Sequence, residues 1–348
     1  MMQLKLAYSF FLFLLLIKNV SAQQIVQYRN VVGELSNEKE ALFISVNELQ
    51  NGLWHRSDYY IQTKKLEKDG YYKDSANTIK HGKFTYFYPN NILESTVHYQ
   101  DNQKEGGYLS FYPNGMIKDS FHFKQDIPMG ICSSWYPNGS IRAEMQMDST
   151  GTGKGVAIGF FENGNTSFKG LLNEGLRKAG NWFYYYENGN KSSVLQYPKT
   201  DSFAMRKPQI KYDPFETIYY DSTVKIYNAF CYNQDGIQQD SCSLINKMPE
   251  YKNGVPGWSN YLETKMFDIT RTVTGEPGVT NIRYKVYFMI DSKGAISNVM
   301  IDNAVENKMD LKVGDVLRDS KFWTPAKHNN RIIPFLHTQS LTFLLNAN

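Results

Sequence analysis

Basic residues in this chain of 348 residues never run longer than a pair such as Lys64-Lys65, and the net charge is only +4. A surface that tracks phosphates needs a clustered basic face, so nucleic acid is not an expected partner. The six histidines and three cysteines show no zinc-ligand spacing and no His pair at i, i+4, and no Gly-x-Ser-x-Gly elbow occurs. No catalytic residue, metal or cofactor is expected, and the chain reads as non-enzymatic. Long apolar runs are equally scarce. The single example, Leu6 to Ile17, follows a short basic start and precedes Val20-Ser21-Ala22, which fits the small-residue rule for signal cleavage. A spanning helix needs roughly 20 apolar residues and Lys18 stops this one short, so a secretory peptide removed after Ala22 is expected, with no membrane anchor. The mature chain is then periplasmic or secreted.

Three smaller features read as structure. Gly151-Thr152-Gly153-Lys154-Gly155 looks like a phosphate loop, but Asp148 stands at the first Gly position and Gly155 where Ser or Thr belongs, so a connector is expected. Cys231 and Cys242 flank the turn signal Asn233-Gln234-Asp235-Gly236, and a disulfide clipping that hairpin is expected; Cys132 reads as a buried thiol. His98 and His122 share one repeat offset, but Gln146, Leu171 and Gln196 replace them later, so a solvated ladder is expected rather than a metal site.

What the chain has in quantity is aromatics, 25 Tyr and 21 Phe, which points to a core of strands rather than Leu-rich helices. They are arranged in a repeat. Tyr88-Pro89-Asn90-Asn91, Tyr112-Pro113-Asn114-Gly115, Tyr136-Pro137-Asn138-Gly139, Phe161-Glu162-Asn163-Gly164 and Tyr186-Glu187-Asn188-Gly189 each follow a marker glycine, Gly82, Gly106, Gly130, Gly155 and Gly180. Both series step by 24, 24, 25 and 25, which chance does not produce. Asn-Gly between aromatic and β-branched runs signals a hairpin, expected here with a type I′ turn. Stacked hairpins would bury Phe84/Tyr88, Tyr108/Tyr112, Cys132/Tyr136, Ala157/Phe161 and Trp182/Tyr186 on one face, with the marker glycine at a bend.

The glycine, aromatic strand, Tyr-Pro-Asn-Gly and alternating return strand resemble the variant MORN repeat over about residues 57–200. That motif is frequent in secreted proteins of Bacteroidetes-type bacteria, and in a family labelled as an antitoxin. It implies a scaffold or binding surface. Residues 23–56 read as a lead-in, helical or irregular through Asn37 to Leu49, and 201–246 as a linker with a short β segment including strands at 217–220 and 224–227.

From residue 247 the pattern becomes mixed. Trp258, Tyr261 and Leu262 mark a helix, Asn281 to Asp291 a strand, Ala295 to Ile301 its hairpin partner, Met309 to Leu317 a second helix, and Arg331 to Leu345 a last strand. Val286-Tyr287-Phe288-Met289-Ile290-Asp291-Ser292-Lys293-Gly294 and Trp323-Thr324-Pro325-Ala326 resemble the motifs of the TonB C-terminal domain, although the usual Tyr-Pro pair near the first helix is missing. The fold class expected is an all-β array of stacked hairpins (MORN-like) followed by a small α+β TonB C-terminal-like domain at 247–348. The resemblance implies capture of an extended peptide by strand addition, with Trp323, Pro325, Leu341, Thr342, Phe343 and Leu344 as the contact candidates. The partner would be an envelope protein, such as a TonB-dependent transporter. The alternative is a glycan- or peptidoglycan-binding protein using the aromatic repeat face.

Overall fold

The structure, a computed structural model, describes residues 24–30, 33–38, 41–61, 63–199, 226–244, 246–273, 281–302 and 308–344. The leader expected through Ala22 and nearly all of the strands expected at 217–220 and 224–227 lie outside those residues. Sixteen strands, from β1 (Ile25–Arg29) to β16 (Gln238–Gln239), form one antiparallel meander in strict sequence order. Most neighbours are joined by short turns, which leave a strand no nearer partner than the next one.

The lead-in departs from its helical or irregular reading. It supplies β1 and β2 (Phe43–Gln50), and β2 pairs with β3 (Leu53–Tyr60) through Asn51-Gly52. Both turn residues have positive φ, 49° and 82°, as a type I′ hairpin requires. Ile44 and Val46 alternate with Ser45 and Asn47 in β2, and it is the polar pair that is buried.

The Tyr-Pro-Asn-Gly turns, conversely, are not type I′. Only their fourth residue is left-handed: Asn91 at 72°, Gly115 at 82°, Gly139 at 85°, Gly164 at 83° and Gly189 at 88°. The Gly115 N–H donates to Tyr112 O and the Tyr112 N–H to Met116 O, both at 2.8 Å, the pattern of a type I turn closed by a bulge. In three copies proline at the second position fixes φ at about −65° and excludes the primed turn, and the two copies with Glu162 and Glu187 there adopt the same turn.

The same four residues stitch hairpin to hairpin. Tyr88 Oη donates to Phe111 O at 2.9 Å, Tyr112 to Trp135 O at 2.8 Å, Tyr136 to Phe160 O at 2.9 Å and Tyr186 to Tyr232 O at 2.8 Å. Tyr60 extends this ladder upstream, to Phe87 O at 3.2 Å. The turn Asn runs a second ladder: Asn114 Nδ2 donates to Pro137 O at 3.1 Å while its Oδ1 accepts from the Met116 N–H. Because Tyr186 and Asn188 reach Tyr232 and Gln234, the hairpin carrying the bonded Cys231–Cys242 pair is the array's last unit rather than part of a linker.

The C-terminal module is α+β. Helices α1 (Gly254–Val273) and α2 (Lys308–Arg318) cover one face of a sheet ordered β19 (Ile296–Ile301), β18 (Asn281–Ile290), β23 (Phe335–Leu344). Two short pairs flank it, β17 (Glu250–Tyr251) with β20 (Trp323–Thr324) and β21 (Ala326–His328) with β22 (Arg331–Ile333). The last strand expected at 331–345 is split, since Pro334 breaks it and sends β22 and β23 to different partners.

The module rests on the array. Tyr287 and Met300 pack with Tyr112, and Ala326 and Ile333 with Phe161. Phe161 is the one repeat position without a hydroxyl, so the ladder bond to Tyr185 O cannot come from it. Arg331 supplies that bond instead: a guanidinium N–H donates to Tyr185 O and Ser167 O, each at 2.6 Å, with the group 5.4 Å from the Phe161 ring.

Candidate partner-binding edge

β23 pairs with β18 along all ten of its residues, from Phe335 opposite Ile290 to Leu344 opposite Asn281, with no register shift. Among the described residues no strand pairs with its other side. An antiparallel edge turns every second N–H and C=O outward. Exposed edges are usually blunted by charge, proline or a bulge. Phe335 to Leu344 contains no charged residue and no proline, and Thr338, Ser340 and Thr342 lie exposed along it. Its buried side is firmly held. Leu341 is buried opposite Tyr284, and Trp258 Nε1 donates to Gln339 Oε1 at 2.7 Å. Burial also lowers the pKa of His337, favouring the neutral ring against Phe288 and Trp323.

The contact candidates divide. Trp323 is only 7% exposed, packs against Tyr251, Trp258 and Phe288, and donates from Nε1 to Ser320 Oγ at 3.1 Å, so it is a core anchor. Pro325 is half-buried beside the Gly294 turn, where a Cβ would stand 2.2 Å from Trp323 O. Leu341 faces the core and Thr342 faces solvent opposite Arg283. Phe343 and Leu344 continue the strand, and their side chains lie outside the described ones. Trp323 touches β23 at His337, five residues and about 17 Å along the strand from Thr342. The six positions therefore form one buried brace and one edge, not one site.

Elsewhere the fold accounts for the other motifs. In the loop after Met147, Asp148 Oδ1 accepts N–H bonds from Thr150, Gly151 and Thr152, so its carboxylate fills the nest a phosphate would need. These bonds outweigh desolvation and hold its pKa below the usual carboxylate value. His98 and His122 are exposed and line, with His81, an open cleft of ≈ 650 Å³ floored by Gly82, Gly106 and Gly107. No group of three His, Cys, Asp or Glu among the described residues is placed to hold a metal. Cys132 is fully buried, and desolvation pushes its thiol up to about 11.

Two features escaped sequence reasoning. Arg331 was read only as the start of a strand. The lysines two positions before three marker glycines also went unnoticed, and each lies over core rings: Lys80 at 4.7 Å from Tyr99, Lys104 at 5.0 Å from Phe123, Lys178 at 5.2 Å from Trp182. Their shared offset was the available signal.

Residues 80–101 and 130–148 match the family model described as MORN repeat variant. No curated protein matches the chain. No helix among the described residues is long and apolar enough to cross a membrane.

Proposed function

We propose that this chain is a non-enzymatic binding protein in which the array is a mount and the C-terminal module takes an extended peptide by strand addition at β23. The observation that carries this reading is the ten-residue edge, unpaired among the described residues and free of Asp, Glu, Lys and Arg, of proline and of a bulge. The order of helix, hairpin, helix, Trp-Thr-Pro-Ala and final strand supports a TonB C-terminal-like module. The leader in the sequence supports a secreted or periplasmic location. Together they favour an envelope protein as partner, with TonB-dependent transporters as the first group to test. The array's rings are packed inside, with Phe84 and Trp182 fully buried, which leaves a glycan platform on that face without support.

The test places a photo-crosslinking residue at Ser340 in the full chain, and another at exposed Leu311 on α2 as control, in envelope extract. An adduct specific to position 340, lost with Thr342→Pro and with the charge-blunted edge Thr342→Lys, is the expected result. Adducts that ignore both substitutions, or none at position 340, would rule strand addition out.

A further inference from the structure

The C-terminal module has a groove that the β23 reading does not use. It lies between the first turns of α1 and the residues just before β20, with a volume of ≈ 350 Å³, enough for one large side chain and its flanking backbone. One wall is Phe322, which is 66% exposed and sits at φ 73°. A bulky aromatic residue is strained in that left-handed region, and strain of this kind concentrates at binding and switch positions. The conformation is held: the Lys252 N–H donates to Phe322 O at 3.0 Å, and Lys252 Nζ lies 5.3 Å from the ring centroid. The floor is firm as well. Tyr261 stacks on Trp258 at 5.5 Å and 13°, and its hydroxyl donates to Val316 O at 2.8 Å. Gly257 permits the close fit, since a Cβ there would stand 2.0 Å from Lys252 O.

Among the described residues the rim has one sign of charge: Lys252 and Lys265 line the groove with Asn260 and Thr264, and no described carboxylate does. We propose that this groove is a second binding site, for an acidic peptide segment that inserts one apolar or aromatic side chain against Phe322. The ring supplies the apolar contact, the two ammonium groups meet flanking carboxylates, and Asn260 offers hydrogen bonds to the peptide backbone. This site is separate from the strand-addition edge, because none of its lining residues belongs to β23.

The experiment is fluorescence anisotropy on the full chain with a labelled nonapeptide carrying one phenylalanine between glutamates. Saturable binding that weakens with added salt is expected, as are at least tenfold losses with a lysine-for-glutamate peptide and with Lys252→Glu. Phe322→Gly separates binding from folding. Glycine relieves the left-handed strain, so this variant should bind at least tenfold more weakly while its Tm holds or rises. The inference is overturned if the peptide does not bind, if Phe322→Gly binds as the wild type, or if that variant lowers Tm by several degrees, which would make the ring a structural brace. Lysine-dependent binding of phosphatidylglycerol vesicles in place of the peptide would overturn it too. Thr342→Pro should leave peptide binding at this groove unchanged, so failure at one site does not imply failure at the other.

Discussion

The two ends of the array have the same backbone and opposite interiors. From Phe121 to Tyr197 the core face is mainly apolar, with Phe168, Trp182 and Tyr184 packed ring on ring and the buried Lys178 lying over the last two. Near the start it is ionic. Buried Arg56 grips Asp58 through two bonds of 2.7 Å, Lys68 Nζ lies 2.6 Å from the same carboxylate, and buried Arg29 donates to Ser45 Oγ. Strand order runs unchanged through both ends, and the tyrosine ladder serves both, at Tyr60 as at Tyr136, with Arg331 standing in at Phe161. The turns and their inter-repeat bonds therefore set the architecture, while the interior sets how strongly each end holds.

The sharpest way to break this symmetry is to substitute both interiors. Trp182→Ala removes a fully buried ring whose Nε1 donates to Leu171 O, and should cost about 3–5 kcal/mol in urea unfolding. Asp58→Asn should cost a similar amount, about 3–5 kcal/mol, because Arg56 loses its charge partner while buried. The ends then part company. Replacing Arg56, Asp58 and Lys68 together by Met, Leu and Met should be near neutral or stabilising by roughly 1–4 kcal/mol, since desolvation of three charges is avoided. Unfolding midpoints as low as that of Asp58→Asn would show that the ionic end depends on its charges for more than pairing.

The C-terminal module rests on the array at Tyr112 and Phe161, and its contact at the apolar end can be dissected. Arg331→Ala leaves Tyr185 O without its 2.6 Å bond and should cost roughly 1.5–3 kcal/mol, the range for a charge-assisted hydrogen bond. Phe161→Tyr restores the ladder hydroxyl from within the array. In the double variant the array should regain part of its stability while the module becomes more open to limited proteolysis. A double-mutant cycle with no coupling between the two positions would mean that Arg331 does not stand in for the missing hydroxyl.

Legibility from sequence followed the same division. The repeat, the buried ring positions and the return-strand alternation were readable because a fixed period reports a fixed geometry. The turn type was misread because Asn-Gly was placed at the centre of the turn. The turn begins one residue earlier, at the aromatic, and its second position, proline in three copies and glutamate in two, keeps the negative φ of a type I turn. The lead-in was missed because β2 and β3 carry their real Asn-Gly turn outside the period. At the other end, helices and strands of the C-terminal module were legible from periodicity. The separation of Trp323 from the β23 edge was not, because burial of a tryptophan depends on which distant rings close over it. Arg331 was invisible for a related reason: its partner is an absence, the hydroxyl that Phe161 lacks, 170 residues upstream.

The smallest test concerns protons at the ionic end, where two carboxyls are driven in opposite directions. Burial alone would raise Asp58, but the Arg56 bonds and Lys68 outweigh it and hold the pKa below the usual value. That contribution is present above the unfolded carboxyl pKa and is lost as pH falls through the lower folded one. Glu67 is pushed up to about 7, first by burial, with Asp58 and Glu94 adding to it against the pull of Lys68. Between its unfolded value and about 7 the folded state keeps a proton that the unfolded state has released. Stability from Glu67 is therefore complete below the unfolded pKa and fades as pH rises toward neutrality. Glu67→Gln keeps a neutral polar group at every pH, so it should raise stability at pH 7 by on the order of 1 kcal/mol and flatten the slope between about pH 4.5 and 7. Chemical unfolding at half-unit pH intervals reads both effects. A variant that keeps the wild-type slope would place the titration elsewhere, and the first alternative to measure is Glu94, whose carboxyl burial also raises, against the charges of Lys285 and Lys118.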